Sequence, residues 1–154
     1  MISEHLDLYI FTGKETKMLI RKMTIDDYDS VYDLWLNTPG IGLNDLDDSR
    51  KGIEKYLRRN PETCFVAEKD NKIIGAILCG NDGRRGYIHH TTVAEAERKN
   101  GVGTALVEAA INALEREGIN KVALVVFQIM NWETLFGKSE VSKHVRTWFT
   151  GIRP

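Results

Sequence analysis

The sequence predicts an α/β protein whose mixed sheet is flanked by helices, and two observations lead to this fold class. Apolar residues follow strand-like runs and helix-like spacings in the order β, α, α, β, β, β, α, β. The last three elements form a strand–helix–strand unit, which places its two strands parallel in one sheet. The chain has 154 residues, a length that suits one domain with a sizeable core.

The first half of the predicted fold contains one strand and two helices. Residues 18–22 form a short apolar strand. Thr24 and Asp27 then form an acidic variant of the capping box, and apolar residues at helical spacing continue to about residue 37. An acidic loop follows, after which Ser49 can cap a second helix that ends near residue 59.

The second half contains four strands and the clearest helix of the chain. Residues 64–68 and 73–79 flank a polar turn and indicate a hairpin, and residues 86–93 form the next strand. Residues 122–127 are almost wholly apolar, as in a strand buried on both faces. The intervening helix, which Gly118 ends, is predicted by an unbroken i, i+3, i+4, i+7 pattern of Val102, Ala105, Leu106, Ala109, Ala110, Ala113 and Leu114.

Composition excludes several classes of function. The net charge is −1 and no basic stripe is present, so we expect no nucleic-acid partner. No apolar run is long enough to cross a membrane, and the N-terminus does not have the pattern of a signal peptide. Cys64 and Cys79 lack metal-ligand spacing and lie in apolar runs, which is typical of buried thiols in a reducing cytosol. We therefore expect a cytoplasmic protein without a metal site.

The segment before the clearest helix has the chemistry of a phosphate site. Two glycines at a helix start let a ligand approach the backbone, and the free N–H groups and helix dipole of the first turn favour an anion. The segment matches neither a Walker loop nor a dinucleotide fingerprint, since three strands and two helices precede it. A tight turn without a ligand is the alternative. The candidate ligands are Arg98, Lys99, Asn100, Gly101, Val102, Gly103 and Thr104.

The sequence around this segment resembles the GNAT superfamily of N-acetyltransferases over about 110 residues. Arg98-x-x-Gly101-x-Gly103 is similar to the family's Arg/Gln-x-x-Gly-x-Gly/Ala motif, and residues 87–93 and 121–127 resemble its fourth and fifth strands. The resemblance implies a mostly antiparallel sheet in which strands four and five splay apart. It also implies acetyl-CoA as co-substrate, with residues 98–104 at the pyrophosphate and the backbone of Thr92 and Val93 at the pantetheine arm.

The resemblance further implies direct attack of an amine on the thioester. The acceptor, a primary amine of a small molecule or peptide, would enter from the side of the first two helices, and a homodimer is possible. His89 and His90 are the candidate bases. Alternation along a strand predicts that they face opposite sides, so that at most one of them can face the cleft between the splayed strands. Tyr87 shares the face of His89. Ordinary packing is the alternative reading for all three residues.

The acidic loop contains Asp45, Asp47 and Asp48. These carboxylates could attract a cationic amine, and a solvated loop without that role is the alternative. Two rival functions also stay open. One is a non-catalytic CoA-binding module, and the other is a nucleotide-binding α/β domain of a different kind.

The chain departs from the family pattern after residue 127. We therefore divide it into an N-terminal extension (1–17), an acetyltransferase core (18–127) and an atypical tail (128–154). When the codons from Gln128 are read in the frame that begins at their third base, they can encode a family-like helix and an aromatic-Glu-Lys-Arg-Gly-Phe turn. Trp148 followed by Phe149 can then give only Val. We infer a frameshifted tail. The codons before Met18 can encode a ribosome-binding site, and from this we infer a native start at Met18. Resequencing the gene and N-terminal sequencing of the expressed protein test these two hypotheses.

Overall fold

A computed structural model describes residues 9–13, 16–126 and 145–150 as one seven-stranded sheet with three helices in these ranges. The strands follow chain order across the sheet. The elements are β1 Tyr9–Gly13, β2 Thr16–Lys22, α1 Tyr28–Leu36, α2 Arg50–Arg59, β3 Phe65–Lys69, β4 Lys72–Asn81, β5 Gly86–Val93, α3 Val102–Arg116, β6 Val122–Val126 and β7 Val145–Thr150. Short 3-10 turns lie at Ile25–Asp27 and Glu95–Glu97.

The sheet is mixed and mostly antiparallel, which confirms the predicted fold class. Strands β1 to β5 pair antiparallel with their neighbours, whereas the β5–β6 and β6–β7 pairs are parallel. The β3–β4 hairpin turns through Asp70 and Asn71, whose φ angles of +51° and +59° suit the two-residue turn that matches strand twist. The parallel β5–α3–β6 crossover is also confirmed.

Two strands lie outside the predicted set. β1 pairs with β2, and β7 pairs with β6. Neither strand belongs to the stretch with clear apolar periodicity. The other residues of 1–17 and 128–154, on which the start and frameshift hypotheses depend, lie outside the described residues except for 16 and 17 at the start of β2.

Helices cover both faces of the sheet and give the protein two apolar layers. On one face α3 packs on the sheet through residues such as Leu106, Ala110 and Leu114. On the other face α1 and α2 pack through Val31, Trp35 and Ile53. No helix in the described ranges is long and apolar enough to cross a membrane.

The sheet opens between β5 and β6. The two strands pair only at Gly86–Val122, Tyr87–Ala123 and Ile88–Leu124, although β5 continues to Val93. We call the gap beyond Ile88 and Leu124 the splay. It confirms the separation of the fourth and fifth predicted strands, and within the described residues the end of β5 has no parallel neighbour.

Candidate active site

The N-terminus of α3 presents unpaired backbone donors. The first bond inside the helix runs from the Ala105 N–H to the Gly101 carbonyl at 3.0 Å. The N–H groups of Val102, Gly103 and Thr104 therefore have no acceptor within the helix, and Gly101 supplies no side-chain cap. Together with the helix dipole, these three donors can bind an anion.

The loop before α3 is held open by its backbone conformation. Lys99 and Gly101 have positive φ angles of 64° and 80°, and a Cβ added at Gly101 would meet no atom within 4 Å. Arg98 Nε donates to the Val93 carbonyl at 3.2 Å, which ties this loop to the end of β5. The side chains of Arg98, Lys99 and Asn100 are exposed beside the free donors.

Val102 can contribute only its backbone to such a site. Its side chain is 2% exposed and belongs to the α3 core, where it packs close to Gly75. Gly103 and Thr104 are half-buried in the first turn of α3.

The two predicted pantetheine contacts differ in direction. The Ala94 N–H bonds to the Ile74 carbonyl of β4 at 2.8 Å. Because antiparallel partners alternate between bonded and non-bonded pairs, Thr92, two residues earlier and opposite Ala76, directs its backbone at β4. Val93 instead directs its N–H and carbonyl towards the free edge of β5. Of these two residues, only Val93 thus directs backbone groups away from β4, and its carbonyl already accepts the bond from Arg98 Nε.

The expectation that His89 and His90 face opposite sides is wrong, because β5 carries a β-bulge at this point. The register runs from Leu78–His89 to Ala76–Thr92, so β5 holds one residue more than β4. His90 has a φ of +41°, which turns its side chain to the same face as that of His89. Both rings therefore contact residues of the α1–α2 side, namely Tyr56, Trp35 and Asp48.

His90 forms a close pair with Asp48, which lies 42 positions away in the α1–α2 loop. Its Nε2 is 2.7 Å from Asp48 Oδ1, and the Trp35 ring lies edge-on with centroids 5.1 Å apart. Burial alone would raise the pKa of Asp48, but hydrogen bonds from His90 and from the Asn44 N–H outweigh it and lower that pKa. Asp48 is therefore an ionised, buried partner of the imidazole.

His89 occupies a less polar position. Its ring contacts the Tyr56 ring edge-on with centroids 6.2 Å apart. Burial, reinforced by the electrostatic effect of the neighbouring His90, holds the pKa of His89 below its usual value, so this imidazole is neutral at pH 7. Burial also raises the pKa of Tyr56, which keeps its hydroxyl protonated.

Tyr87 lies away from the splay. It shares the face of His89, as expected from alternation, but its hydroxyl lies 3.3 Å from Asp82 Oδ2 in the turn that precedes β5. In the acidic loop, Asp45 and Asp47 are exposed, whereas Asp48 is 6% exposed. No local sequence pattern predicts the Asp48–His90 pair, because its members are 42 positions apart. Thr91 Oγ1, which is buried and has no hydrogen-bond partner in the described part of the chain, is a further polar group that no sequence pattern indicates.

The described ranges contain no cluster of potential metal ligands. No group of three or more His, Cys, Asp or Glu side chains there could hold a metal ion. The chemically distinctive groups are instead the α3 donors, the free edge of β5 and the two imidazoles.

Comparisons with known proteins agree with this geometry. A model of the acetyltransferase (GNAT) family matches residues 28–131. An acetyltransferase of Photorhabdus laumondii is 32% identical over 113 residues, which span 71% of this chain and 75% of the relative.

Two solved structures share the fold. A PaiA N-acetyltransferase of Thermoplasma acidophilum in complex with coenzyme A aligns over 73% of this chain and 80% of its own, with a TM-score of 0.64 and 16% identity. The diaminobutyrate acetyltransferase EctA of Paenibacillus lautus, in complex with L-2,4-diaminobutyric acid and coenzyme A, aligns over 70% and 64%, with a TM-score of 0.59 and 23% identity. From the family match and the sequence relatives we conclude that this chain belongs to the acetyltransferase (GNAT) family of enzymes.

Proposed function

We propose that this chain transfers the acetyl group of acetyl-CoA to a primary amine of a small molecule or peptide by direct attack. One observation carries the proposal: in the described part of the chain, backbone donors without a partner at α3 and the unpaired edge of β5 flank the splay, and two imidazoles approach it from the α1–α2 side. A candidate anion-binding site and a candidate base thus lie at the two ends of one strand segment, residues 89–93.

The residues present fit acetyl-CoA. The N–H groups of residues 102–104 suit the pyrophosphate, and the open space beside Gly101 leaves room for it. Val93 offers a backbone N–H, which has no partner in the described ranges, to an amide of the pantetheine arm in the manner of an added strand. The buried Thr91 hydroxyl, which lacks a hydrogen-bond partner in the described ranges, is a further polar group on the same segment.

In the proposed reaction, one group of residues binds acetyl-CoA and another, on the α1–α2 side, accepts the proton of the amine. Bound acetyl-CoA supplies a thioester carbonyl that an uncharged amine can attack. The loop 98–104 and Val93 hold that ligand in place, and an amine that enters from the α1–α2 side meets His89 and His90. A neutral imidazole there can accept the proton that the ammonium must lose before it attacks. Tyr87 lies outside this arrangement, and we assign it no step.

Two measurements test the proposal. Acetyl-CoA should raise the melting temperature of the chain, whereas ATP and NAD should not, because only a ligand of the folded state stabilises it. Free thiol release should then follow addition of one or more amines from a panel of amino acids, polyamines, aminoglycosides and peptides. A melting shift without thiol release from any amine would refute catalysis and support a CoA-binding module.

We also propose a cytoplasmic location and a homodimer. Cys64 and Cys79 are both free and buried, which agrees with a reducing compartment. Light scattering of the purified chain measures its mass, and a monomer at working concentration would contradict the dimer.

A further inference from the structure

We infer that Asp48 is a positioning residue that selects His90, rather than His89, as the base of the reaction. This inference rests on the proposed function. Asp48 holds the His90 ring with its proton on Nε2, so that Nδ1 keeps the lone pair that takes the proton of the acceptor amine.

The first step of the argument is the fixed position of the carboxylate. Asp48 Oδ1 faces His90 Nε2 at 2.7 Å, and Oδ2 accepts the Asn44 N–H at 2.7 Å. Its backbone carbonyl accepts the Tyr28 hydroxyl at 2.9 Å. Because both carboxylate oxygens and the backbone are engaged, Asp48 cannot turn to bind a cationic amine in solution. This geometry disfavours the acceptor-attracting role considered for Asp48.

The second step is the tautomer of the imidazole. An ionised carboxylate can only accept a hydrogen bond, so the short contact requires a proton on Nε2. In the neutral ring Nδ1 is then the basic nitrogen. His89 has no carboxylate partner in the described ranges; it contacts Tyr56 through its ring edge. Only His90 is therefore oriented by a charged group.

The third step is the position of His90 in the strand. It occupies the bulge of β5, beyond the last pair with β6 at Ile88, and the Trp35 ring packs edge-on against it. The ring is thus held on two sides at the start of the splay. The groups that face it are Asp48 from the loop, Trp35 from α1 and His89 from its own strand.

The proton and bond changes balance without another reactant. His90 Nδ1 takes one proton from the ammonium form of the amine. The uncharged nitrogen then forms a bond to the thioester carbon as the carbon–sulfur bond breaks, and sulfur leaves with the electron pair. The second proton, released by the nitrogen, ends on that sulfur. After the first transfer, the Asp48 carboxylate stabilises the imidazolium.

The substitution Asp48→Asn tests this role, because the structure dictates how the amide would sit. The Asn44 N–H needs an acceptor, so it selects the amide oxygen and directs the NH₂ group at Nε2. The imidazole then carries its proton on Nδ1 and loses its basic lone pair there. We expect kcat to fall by about 100-fold or more, as loss of general-base catalysis implies. The dissociation constant of acetyl-CoA should stay within twofold.

Asp47→Asn is the matched control, since it removes the same charge from an exposed neighbour in the same loop. Its kcat should stay within twofold of the parent. His90→Asn, a residue that tolerates positive φ, should lose as much activity as Asp48→Asn. The double variant should be no slower than His90→Asn alone, because Asp48 acts through His90.

Nitrogen-15 NMR of the histidine rings provides a readout that does not need turnover. The parent should show His90 protonated on Nε2, and Asp48→Asn should move the proton to Nδ1. An unchanged tautomer, an unchanged kcat, or equal losses in Asp48→Asn and Asp47→Asn would overturn the inference. No thiol release from the parent with acetyl-CoA bound would instead refute the proposed function, and the inference with it.

Discussion

Gly101 and Gly118 lie at the two ends of α3 and provide a matched pair of substitutions. Both have left-handed backbones, with φ angles of +80° and +78°, and a Cβ at either position would meet no atom within 4 Å. Alanine therefore introduces the same backbone strain at each site without a steric clash. Only Gly101 adjoins the free donors that we assign to the pyrophosphate, so the two variants separate stability from binding.

The strain can be estimated from the backbone alone. A left-handed conformation costs an L-residue about 1–2 kcal/mol. Alanine also lowers the conformational entropy of the unfolded chain relative to glycine, which offsets about 0.4–1 kcal/mol of this cost. Each variant should lose about 1 kcal/mol, which lowers the melting temperature of a domain of this size by about 2–4 °C. The added methyl group at Gly101 should also weaken one charge-assisted hydrogen bond to phosphate, which is worth about 1.5–3 kcal/mol.

Calorimetry and thermal melting measure the two effects separately. Gly101→Ala should bind acetyl-CoA about 10- to 100-fold more weakly than the parent, whereas Gly118→Ala should bind it equally well. Similar losses of melting temperature are expected in both. If Gly101→Ala retained the affinity of Gly118→Ala, the assignment of the α3 N-terminus as the pyrophosphate site would be refuted.

Three further changes test other parts of the structure. Gly103→Val should abolish acetyl-CoA binding, measured by calorimetry, because a branched side chain would take space that the pyrophosphate needs. Asp27→Asn should lower the free energy of unfolding in urea by about 2 kcal/mol, since its carboxylate accepts two bonds from the Arg21 guanidinium, at 2.7 and 2.8 Å. The melting temperature should fall as pH drops below about 6.5, because burial lowers the pKa of His89 and the unfolded chain then binds more protons than the folded one.

Each of these three predictions has a control variant or an outcome that would contradict it. A Gly103→Val variant that bound as well as the parent would place the ligand elsewhere. The exposed neighbour Asp26 offers the comparison for Asp27, and Asp26→Asn should change the stability by less than about 0.5 kcal/mol. His89→Gln should reduce the pH dependence of melting between pH 7.5 and 5.5; an identical slope in that variant would contradict the role of His89.

Local pattern was sufficient for the helices and the inner strands. The apolar spacing of α3, the capping box at Thr24 and Asp27, and the polar turn between β3 and β4 each depend on residues within a few positions of one another. The glycine-rich start of α3 is equally local, because a left-handed Gly101 and a free first turn follow from adjacent residues. These features therefore follow from the order of residues alone.

Strand pairing could not be predicted where the apolar period was weak. β1 pairs with β2 and β7 pairs with β6, and no pattern in their own residues predicts that pairing. Strand β4 extends beyond the predicted range 73–79 because its ends at Lys72 and Asn81 are set by the register with β3 and β5.

The sequence by itself determined the family, the helices and the inner strands of this protein and indicated the segment that we propose for phosphate binding, whereas only the tertiary structure decided which groups meet at the splay. A β-bulge is a mismatch of one residue between two strands, so it exists only once β4 and β5 are paired. That mismatch placed His89 and His90 on one face. The Asp48–His90 contact joins a loop and a strand that are 42 residues apart, and such a contact depends on packing of α1 and α2 against the sheet.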